Sequence, residues 1–178
     1  MKSSPERQHE FDIAYMKMAI AMSELSYAIR KKVGSIIVSK NDQVISQGFN
    51  GTPMGFPNVC EYYVDCEGNP VYLDNYKPIE IKNFFSIDDL KTKDEVLHAE
   101  ANTISKCAKY LTSTEGGTLY VTLSPCINCA KLIIQAEIKR VVYLEDYRDS
   151  TGIDLLKKFG IEVVKLDINN INRVTEPL

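Results

Sequence analysis

Four residues in two short segments have the types and spacing of a metal-dependent hydrolytic site. His98 and Glu100 are two positions apart, and Cys126 and Cys129 form a later Cys-x-x-Cys pair. Two cysteines at i and i+3 at the start of a helix lie on one face, so both sulfurs can reach one metal ion. One histidine with two thiolates is a ligand set of catalytic zinc, which keeps a fourth position open for water. Glu100 is placed to move a proton beside the metal rather than to bind it.

Two other readings of the cysteine pair are a redox motif and half of a four-ligand structural zinc site. A thioredoxin-like motif follows the first strands of a chain, whereas this pair lies beyond residue 120. A structural site needs a fourth ligand, which would have to come from Cys60, Cys66 or Cys107. The histidine and glutamate in the companion segment favour the catalytic reading over both.

The pattern around these segments predicts an α/β fold. Strands alternate with helices in the second half, which predicts parallel strands joined by right-handed crossovers, and an opening hairpin adds an antiparallel pair. We therefore expect a three-layer α/β/α fold with a mixed sheet of about five strands and helices on both faces. The predicted helices span 11–26, 96–111, 124–136 and 151–159, and the predicted strands span 33–39, 44–48, 118–122, 140–144 and 161–166.

Length and composition predict a single domain over 1–178 with an insertion at about 56–95, where the periodicity is weak and we expect a small hairpin or short helices. The chain is 44% hydrophobic and 25% charged, which excludes wholesale disorder. A net charge of −3 argues against binding a nucleic acid polymer. The sequence has neither a membrane-spanning stretch nor a secretory signal, so we expect a cytoplasmic protein.

Three stretches carry a resemblance to a known family: GFNGTPMG at 48–55, HAEANTI at 98–104 and TLYVTLSPCINCAKLI at 118–133. They resemble the zinc-dependent cytidine deaminase superfamily, whose signature is H-x-E with P-C-x-x-C, and more closely the deoxycytidylate (dCMP) deaminases of phages and eukaryotes. The similarity runs from about Ile13 to Leu166 and leaves the insertion poorly matched. It implies a cytidine deaminase-like fold.

The resemblance also implies the reaction and its residues. His98, Cys126 and Cys129 would bind one zinc ion, and activated water would attack C4 of cytosine while Glu100 protonates N3, giving dUMP for thymidylate synthesis and ammonia. The substrate-binding residues implied are Asn50, the backbone of Ala99, Ser124 and Pro125, the aromatic Tyr147, and Arg30 for the phosphate.

Three of these residues also have plain structural interpretations. Asn50 could be a turn former, since Asn-Gly is a common turn pair, and Tyr147 could be an ordinary residue at a strand end. Arg30 could belong to a solvated basic cluster after a helix.

Regulation and assembly are implied by the family alone. Its members are often activated by dCTP, inhibited by dTTP and hexameric, and the regulatory residues implied here are Gly51, Thr52, Pro53 and Gly55. A second, structural zinc is not expected, because thiolates alone would have to supply nearly all of its ligands. If the protein is phage-encoded, it would act in the host cytoplasm.

The alternatives left open are deamination of another substrate, namely dCTP, cytidine, guanine or tRNA adenosine, and a zinc-stabilised nucleotide-binding module. The negative net charge disfavours tRNA. A phosphate contact at Arg30 would disfavour a free nucleoside, and Glu100 disfavours a binding module, which needs no acid beside an open zinc position.

Overall fold

The computed structural model describes residues 4–75, 80–81, 86–167 and 169 of the chain, and helices alternate with strands from residue 99 onward. A 3-10 turn at Ile87–Asp89 directly precedes the strand Leu90–Thr92. The bounds are α1 Pro5–Glu24, β1 Gly34–Val38, β2 Val44–Phe49, β3 Glu61–Val64, β4 Pro70–Tyr72, β5 Leu90–Thr92, α2 Ala99–Lys109, β6 Thr118–Leu123, α3 Ile127–Gln135, β7 Arg140–Glu145, α4 Thr151–Lys158 and β8 Glu162–Lys165.

The main sheet has five strands in the order β2-β1-β6-β7-β8. Strand β1 is antiparallel to both β2 and β6, whereas β6, β7 and β8 are parallel. The parallel strands are joined through α3 and α4, as expected for crossover connections. The predicted mixed sheet of about five strands is therefore confirmed.

Helices cover both faces of this sheet, as predicted, but unevenly. Alternate strand residues face opposite sides, so Ile36 and Tyr120 pack with α1 while Ile37 and Leu119 pack with α2, α3 and α4. Among the described helices, one therefore lies on the first face and three on the second. None of them is long and apolar enough to cross a membrane.

Three helix starts differ from the predicted ones. Helix α1 begins earlier, at Pro5, with the Ser4 side chain capping it, so residues 5–10 extend the predicted helix. Helices α2 and α3 begin later than predicted, because the residues before them make long-range backbone bonds. Leu97 exchanges two hydrogen bonds with Gly51, at 2.9 and 3.1 Å, and the Ser124 N–H donates to the Glu145 carbonyl at 2.8 Å.

The segment predicted as an insertion carries a second sheet of three antiparallel strands in the order β4-β3-β5. Strands β3 and β4 form a hairpin, one of the two structures expected there. Residues 76–79 and 82–85 of the segment lie outside the described residues. This small sheet has its own apolar cluster, against which Ile29 of the main domain packs: Val59, Leu73, Ile81 and Leu90.

Candidate active site

Three metal-ligating side chains meet where two helices begin. His98 is the N-cap residue of α2, Cys126 is the N-cap residue of α3, and Cys129 lies in the first turn of α3. His98 Nδ1 is 3.5 Å from Cys126 Sγ and 3.4 Å from Cys129 Sγ. The partial positive charge of a helix N-terminus favours the thiolate form that binds metal.

These separations fit a tetrahedral zinc ion. With Zn–S bonds of about 2.3 Å and Zn–N bonds of about 2.0 Å, the nitrogen and a sulfur of a tetrahedral site are about 3.6 Å apart. The structure places all three ligand atoms within 4.8 Å of one another. Three protein ligands leave the fourth tetrahedral position open. Within the described residues, no other group of three histidine, cysteine or acidic side chains comes this close.

The protonation of the two cysteines is coupled. A hydrogen bond from the Cys129 thiol and, to a lesser extent, the His98 side chain lower the pKa of Cys126 to about 3, against the opposing effect of burial. The same bond raises the pKa of Cys129 far above its usual value. The pKa of His98 is raised, chiefly by its hydrogen bond to Cys126. These shifts favour the thiolate form at Cys126, one of the two sulfur ligands.

Glu100 lies in the first turn of α2, beside these ligands, and its side chain is only 4% exposed. Burial raises the pKa of its carboxyl group above the usual value, against the opposing effects of its own backbone N–H and of the nearby His98. A carboxyl with a raised pKa can both accept and donate a proton near neutral pH.

A cavity of about 270 Å³ opens onto these residues. Pro125 is buried next to the cavity but is not part of its wall. Cys129 is not part of the wall either. All the other residues predicted for metal binding, catalysis or substrate binding line the cavity: His98, Glu100, Cys126, Asn50, Ala99, Ser124, Tyr147 and Arg30.

Asn50 lines the cavity and holds the segment that precedes β1. Its Oδ1 accepts hydrogen bonds from the Val33 N–H and the Ser26 hydroxyl, each at 2.8 Å. Its Nδ2 donates to the Lys31 carbonyl at 2.9 Å, which uses one of the two amide hydrogens. These bonds join Asn50 to the segment 26–33 rather than to its own neighbours in a turn, and they leave the second amide hydrogen for a ligand.

Ser124 and Tyr147 form a second wall. The Ser124 hydroxyl accepts a hydrogen bond from the Tyr147 N–H at 2.7 Å, which fixes the loop after β7 against the loop after β6. The Arg148 guanidinium lies 5.3 Å from the centre of the Tyr147 ring.

Cationic side chains surround the outer part of the cavity. Arg30 Nη1 donates to Thr92 Oγ1 at 3.3 Å, and Lys31 Nζ pairs with Glu145 Oε2 at 2.5 Å. Lys32 instead donates to the Glu24 carbonyl and is not part of the wall. The basic cluster at 30–32 is thus divided between the cavity and the outer surface.

Four positions were not identified from the sequence. Lys31, Glu61 and Arg148 line the cavity. The adjacency of Arg148 to Tyr147 was an available signal for one of them. The fourth is Gly152, in the first turn of α4, where a Cβ atom would lie 2.0 Å from the Pro125 carbonyl oxygen and 2.7 Å from the Cys126 carbonyl carbon.

The loop predicted to be regulatory does not line the cavity, but it contacts the segment that leads to the metal site. Gly51 pairs with Leu97, the residue before His98. Thr52 Oγ1 donates to Asn58 Oδ1 at 3.4 Å. A turn follows, in which the Pro53 carbonyl accepts from Phe56, and Gly55 has φ of 93°.

A mixed sheet that presents one histidine, two cysteines and a glutamate at helix starts defines a zinc-dependent nucleobase deaminase fold. Residues 9–145 match the family described as the cytidine and deoxycytidylate deaminase zinc-binding region, and the chain belongs to this family.

The chain is also similar, in sequence and in structure, to individual deoxycytidylate deaminases. The chain is 36% identical over 179 residues to the deoxycytidylate deaminase of Enterobacteria phage T4, covering 89% of this chain and 91% of that protein. It is 33% identical to the human deoxycytidylate deaminase over 138 residues, covering 76% and 66% of the two chains. The crystal structure of dCMP deaminase from the cyanophage S-TIM5, in complex with dCMP and dUMP, superposes with a TM-score of 0.71 at 38% identity. The match covers 93% of this chain and all of that one (100%).

Proposed function

We propose that this protein hydrolyses dCMP to dUMP and ammonia, with one zinc ion held by His98, Cys126 and Cys129, and so supplies dUMP for thymidylate synthesis. The observation that carries the proposal is the buried Glu100 carboxyl beside three ligands with tetrahedral spacing, all at one cavity. Relatives named for this reaction align along most of the chain.

Zinc bound at this site supplies the Lewis acidity that makes water a nucleophile at neutral pH. The Glu100 carboxylate would take one proton from the attacking water and transfer it to N3 of cytosine. It would then take the second proton from the oxygen now bonded to C4 and give it to the amine, which leaves as ammonia. The raised pKa of Glu100 suits both directions of transfer, because burial disfavours the charged form.

Backbone groups are available to hold the base. Ala99 is the first residue of α2, so its N–H has no partner within the helix. The Ser124 N–H is bonded to the Glu145 carbonyl, and the Ser124 carbonyl would accept a hydrogen bond from the cytosine amine. The Pro125 carbonyl instead packs against Gly152, so we assign Pro125 a supporting role. The Tyr147 ring would pack on the base, and Asn50 would donate its remaining amide hydrogen.

The cationic residues at the outer part of the cavity are proposed to bind the phosphate. Arg30, Lys31 and Arg148 line this part, and Arg30 is held in place through Thr92. Lys31 already pairs with Glu145, so a free nucleoside would leave Arg30 and Arg148 without an anionic partner of the kind that a phosphate supplies. The net charge of −3 disfavours a tRNA substrate.

The test is an ammonia-release assay on cytidine, dCMP, dCTP and deoxyguanosine, with zinc-loaded wild type and Glu100→Gln in parallel. We expect dCMP to be the preferred substrate and the variant to lose at least about 10⁴-fold in kcat while keeping its zinc. Preference for another substrate would move the proposal to that substrate. Wild-type turnover in the variant would contradict the mechanism.

Regulation and assembly belong to the same proposal. We infer activation by dCTP, inhibition by dTTP and a homohexamer, with one zinc per chain in a single domain that acts in the cytoplasm. The hydrogen bonds between Gly51 and Leu97 would link the loop of Thr52, Pro53 and Gly55 to the ligand His98. Sedimentation showing a monomer whose activity ignores both triphosphates would contradict this part alone.

A further inference from the structure

Glu61, at the start of β3, is a buried carboxylate that the proposed mechanism does not use. Its side chain is 1% exposed. Oε1 accepts hydrogen bonds from the backbone N–H groups of Ile29 and Arg30, at 3.0 and 3.2 Å. Oε2 has no hydrogen-bond partner among the described residues, although Glu61 lines the active-site cavity.

A buried carboxylate oxygen without a donor is costly, and native proteins rarely leave one unless a ligand completes it. Burial raises the pKa of Glu61, against the opposing effect of the Arg30 and Ile29 N–H bonds. Two backbone bonds fix one oxygen in place, so the other is held at a defined position in the cavity wall.

The position of Glu61 also relates it to the proposed phosphate site. Strand pairing places Glu61 opposite Thr92, and Thr92 holds the Arg30 guanidinium. The Glu61 carboxylate therefore fixes the Arg30 backbone, and Glu61 and Arg30 line the same cavity.

The chemistry of the ligand then narrows what Oε2 can bind. A carboxylate oxygen needs a donor, so it repels the phosphate of a nucleotide. In dCMP the donors are the exocyclic amine and one hydroxyl group, at C3′. The amine is the leaving group and must lie beside Glu100 and the metal ligands, which leaves the hydroxyl.

On the basis of the proposed function, we propose that Glu61 Oε2 accepts a hydrogen bond from the 3′-hydroxyl of the bound deoxynucleotide. Glu61 is thus a specificity-determining residue that selects nucleotides with a free 3′-hydroxyl. Its other oxygen positions Arg30, which connects recognition of the sugar with recognition of the phosphate.

The experiment compares kcat/KM for dCMP and 2′,3′-dideoxy-CMP in wild type, Glu61→Gln and Glu95→Gln. Glutamine keeps the Oε1 acceptor for Ile29 and Arg30 but replaces the unpaired oxygen with an amide. Glu95 is exposed and outside the cavity wall, so its variant matches the change in charge. Zinc content and thermal unfolding confirm that each variant is folded.

In wild type we expect dCMP to be preferred over the dideoxy analogue by roughly 10- to 150-fold, the range for a hydrogen bond to a charged group. In Glu61→Gln the preference should fall below about 10-fold, and in Glu95→Gln it should match wild type. A purely structural role for Glu61 would lower both substrates equally and leave the preference unchanged, which would overturn the proposal.

If Glu61→Gln does not fold, the wild-type measurement alone still tests the proposal. A wild-type preference for dCMP over the dideoxy analogue of less than about threefold would exclude the hydrogen bond to the 3′-hydroxyl. Failure of the proposed function looks different. In that case wild type would not deaminate dCMP at all, whereas failure of this inference would leave dCMP turnover intact without discrimination at C3′.

Discussion

The two faces of the sheet each bury a carboxylate, and the surroundings of the two groups are opposite. Asp12 of α1 is 3% exposed and accepts two hydrogen bonds from Arg140, each 2.7 Å, and one from Tyr120 at 2.8 Å. Glu100 on the other face has a thiol neighbour and a cavity.

The pKa values of these carboxyls diverge accordingly. Burial raises the pKa of both groups, but at Asp12 the bonds from Arg140 and Tyr120 outweigh it, and the pKa is lowered. At Glu100 burial prevails and the pKa is raised. A fully paired buried carboxylate fixes α1 to the sheet, whereas an incompletely paired one remains able to exchange protons.

The largest effect is expected from removal of a metal ligand on the Glu100 face. Cys129→Ala should lose nearly all bound zinc and all detectable deamination, because two ligands hold zinc far more weakly than three. Metal analysis and ammonia release measure this. Cys107→Ala, a matched buried cysteine outside the site, should keep both; zinc retained by Cys129→Ala would contradict the ligand set.

On the opposite face, the expected loss is in stability. Asp12→Asn should lower the free energy of unfolding by about 1.5–3 kcal/mol, because Arg140 loses its charged partner Asp12 and keeps only its ion pair with Glu162. Urea unfolding measures the change, and the folded variant should retain its kcat. Glu10→Gln, which breaks the exposed pair with Arg7, should cost less than about 1 kcal/mol.

A smaller effect is expected from Gly152→Ala, which introduces a Cβ where the Pro125–Cys126 backbone packs against α4. We expect zinc affinity to fall about 10- to 100-fold, as for other changes that shift a ligand without removing it. Competition with a chelator measures this affinity. The neighbouring variant Thr151→Ala should bind zinc as wild type does, and equal affinities for both would contradict the close packing.

The smallest effect is in the pH dependence of stability. Because the folded pKa of Asp12 is lowered, its contribution is present above the unfolded value near 4 and is lost as pH falls through the folded value. Unfolding free energies measured from about pH 5 downward should therefore fall more steeply for wild type than for Asp12→Asn. Parallel curves would show that Asp12 is not the group responsible.

The sequence predicted the parts of this molecule that depend on short-range pattern. The strands of the main sheet follow from alternating β-branched runs, and the metal ligands follow from spacing within single segments. The predicted starts of α2 and α3, at 96 and 124, are each three residues too early. Leu97 and Ser124 make backbone hydrogen bonds with distant residues, so the helices begin only after them, at 99 and 127.

Residues whose role depends on tertiary contact were not predictable in this way. Glu61 reaches the cavity only because β3 packs against the Ile29–Arg30 segment, in a region of weak periodicity. Gly152 shows its role only through its distance to Pro125 and Cys126, which no pattern in the sequence encodes.

The most direct test of the account is to measure kcat and the free energy of unfolding on the same zinc-loaded preparations of Glu100→Gln and Asp12→Asn. The account predicts opposite outcomes. Glu100→Gln should lose at least about 10⁴-fold in kcat with stability within about 1 kcal/mol of wild type or higher, whereas Asp12→Asn should lose stability and keep kcat. A Glu100→Gln enzyme that keeps its kcat would contradict the assignment of Glu100 as the proton carrier. So would a Glu100→Gln enzyme that loses as much free energy of unfolding as Asp12→Asn does.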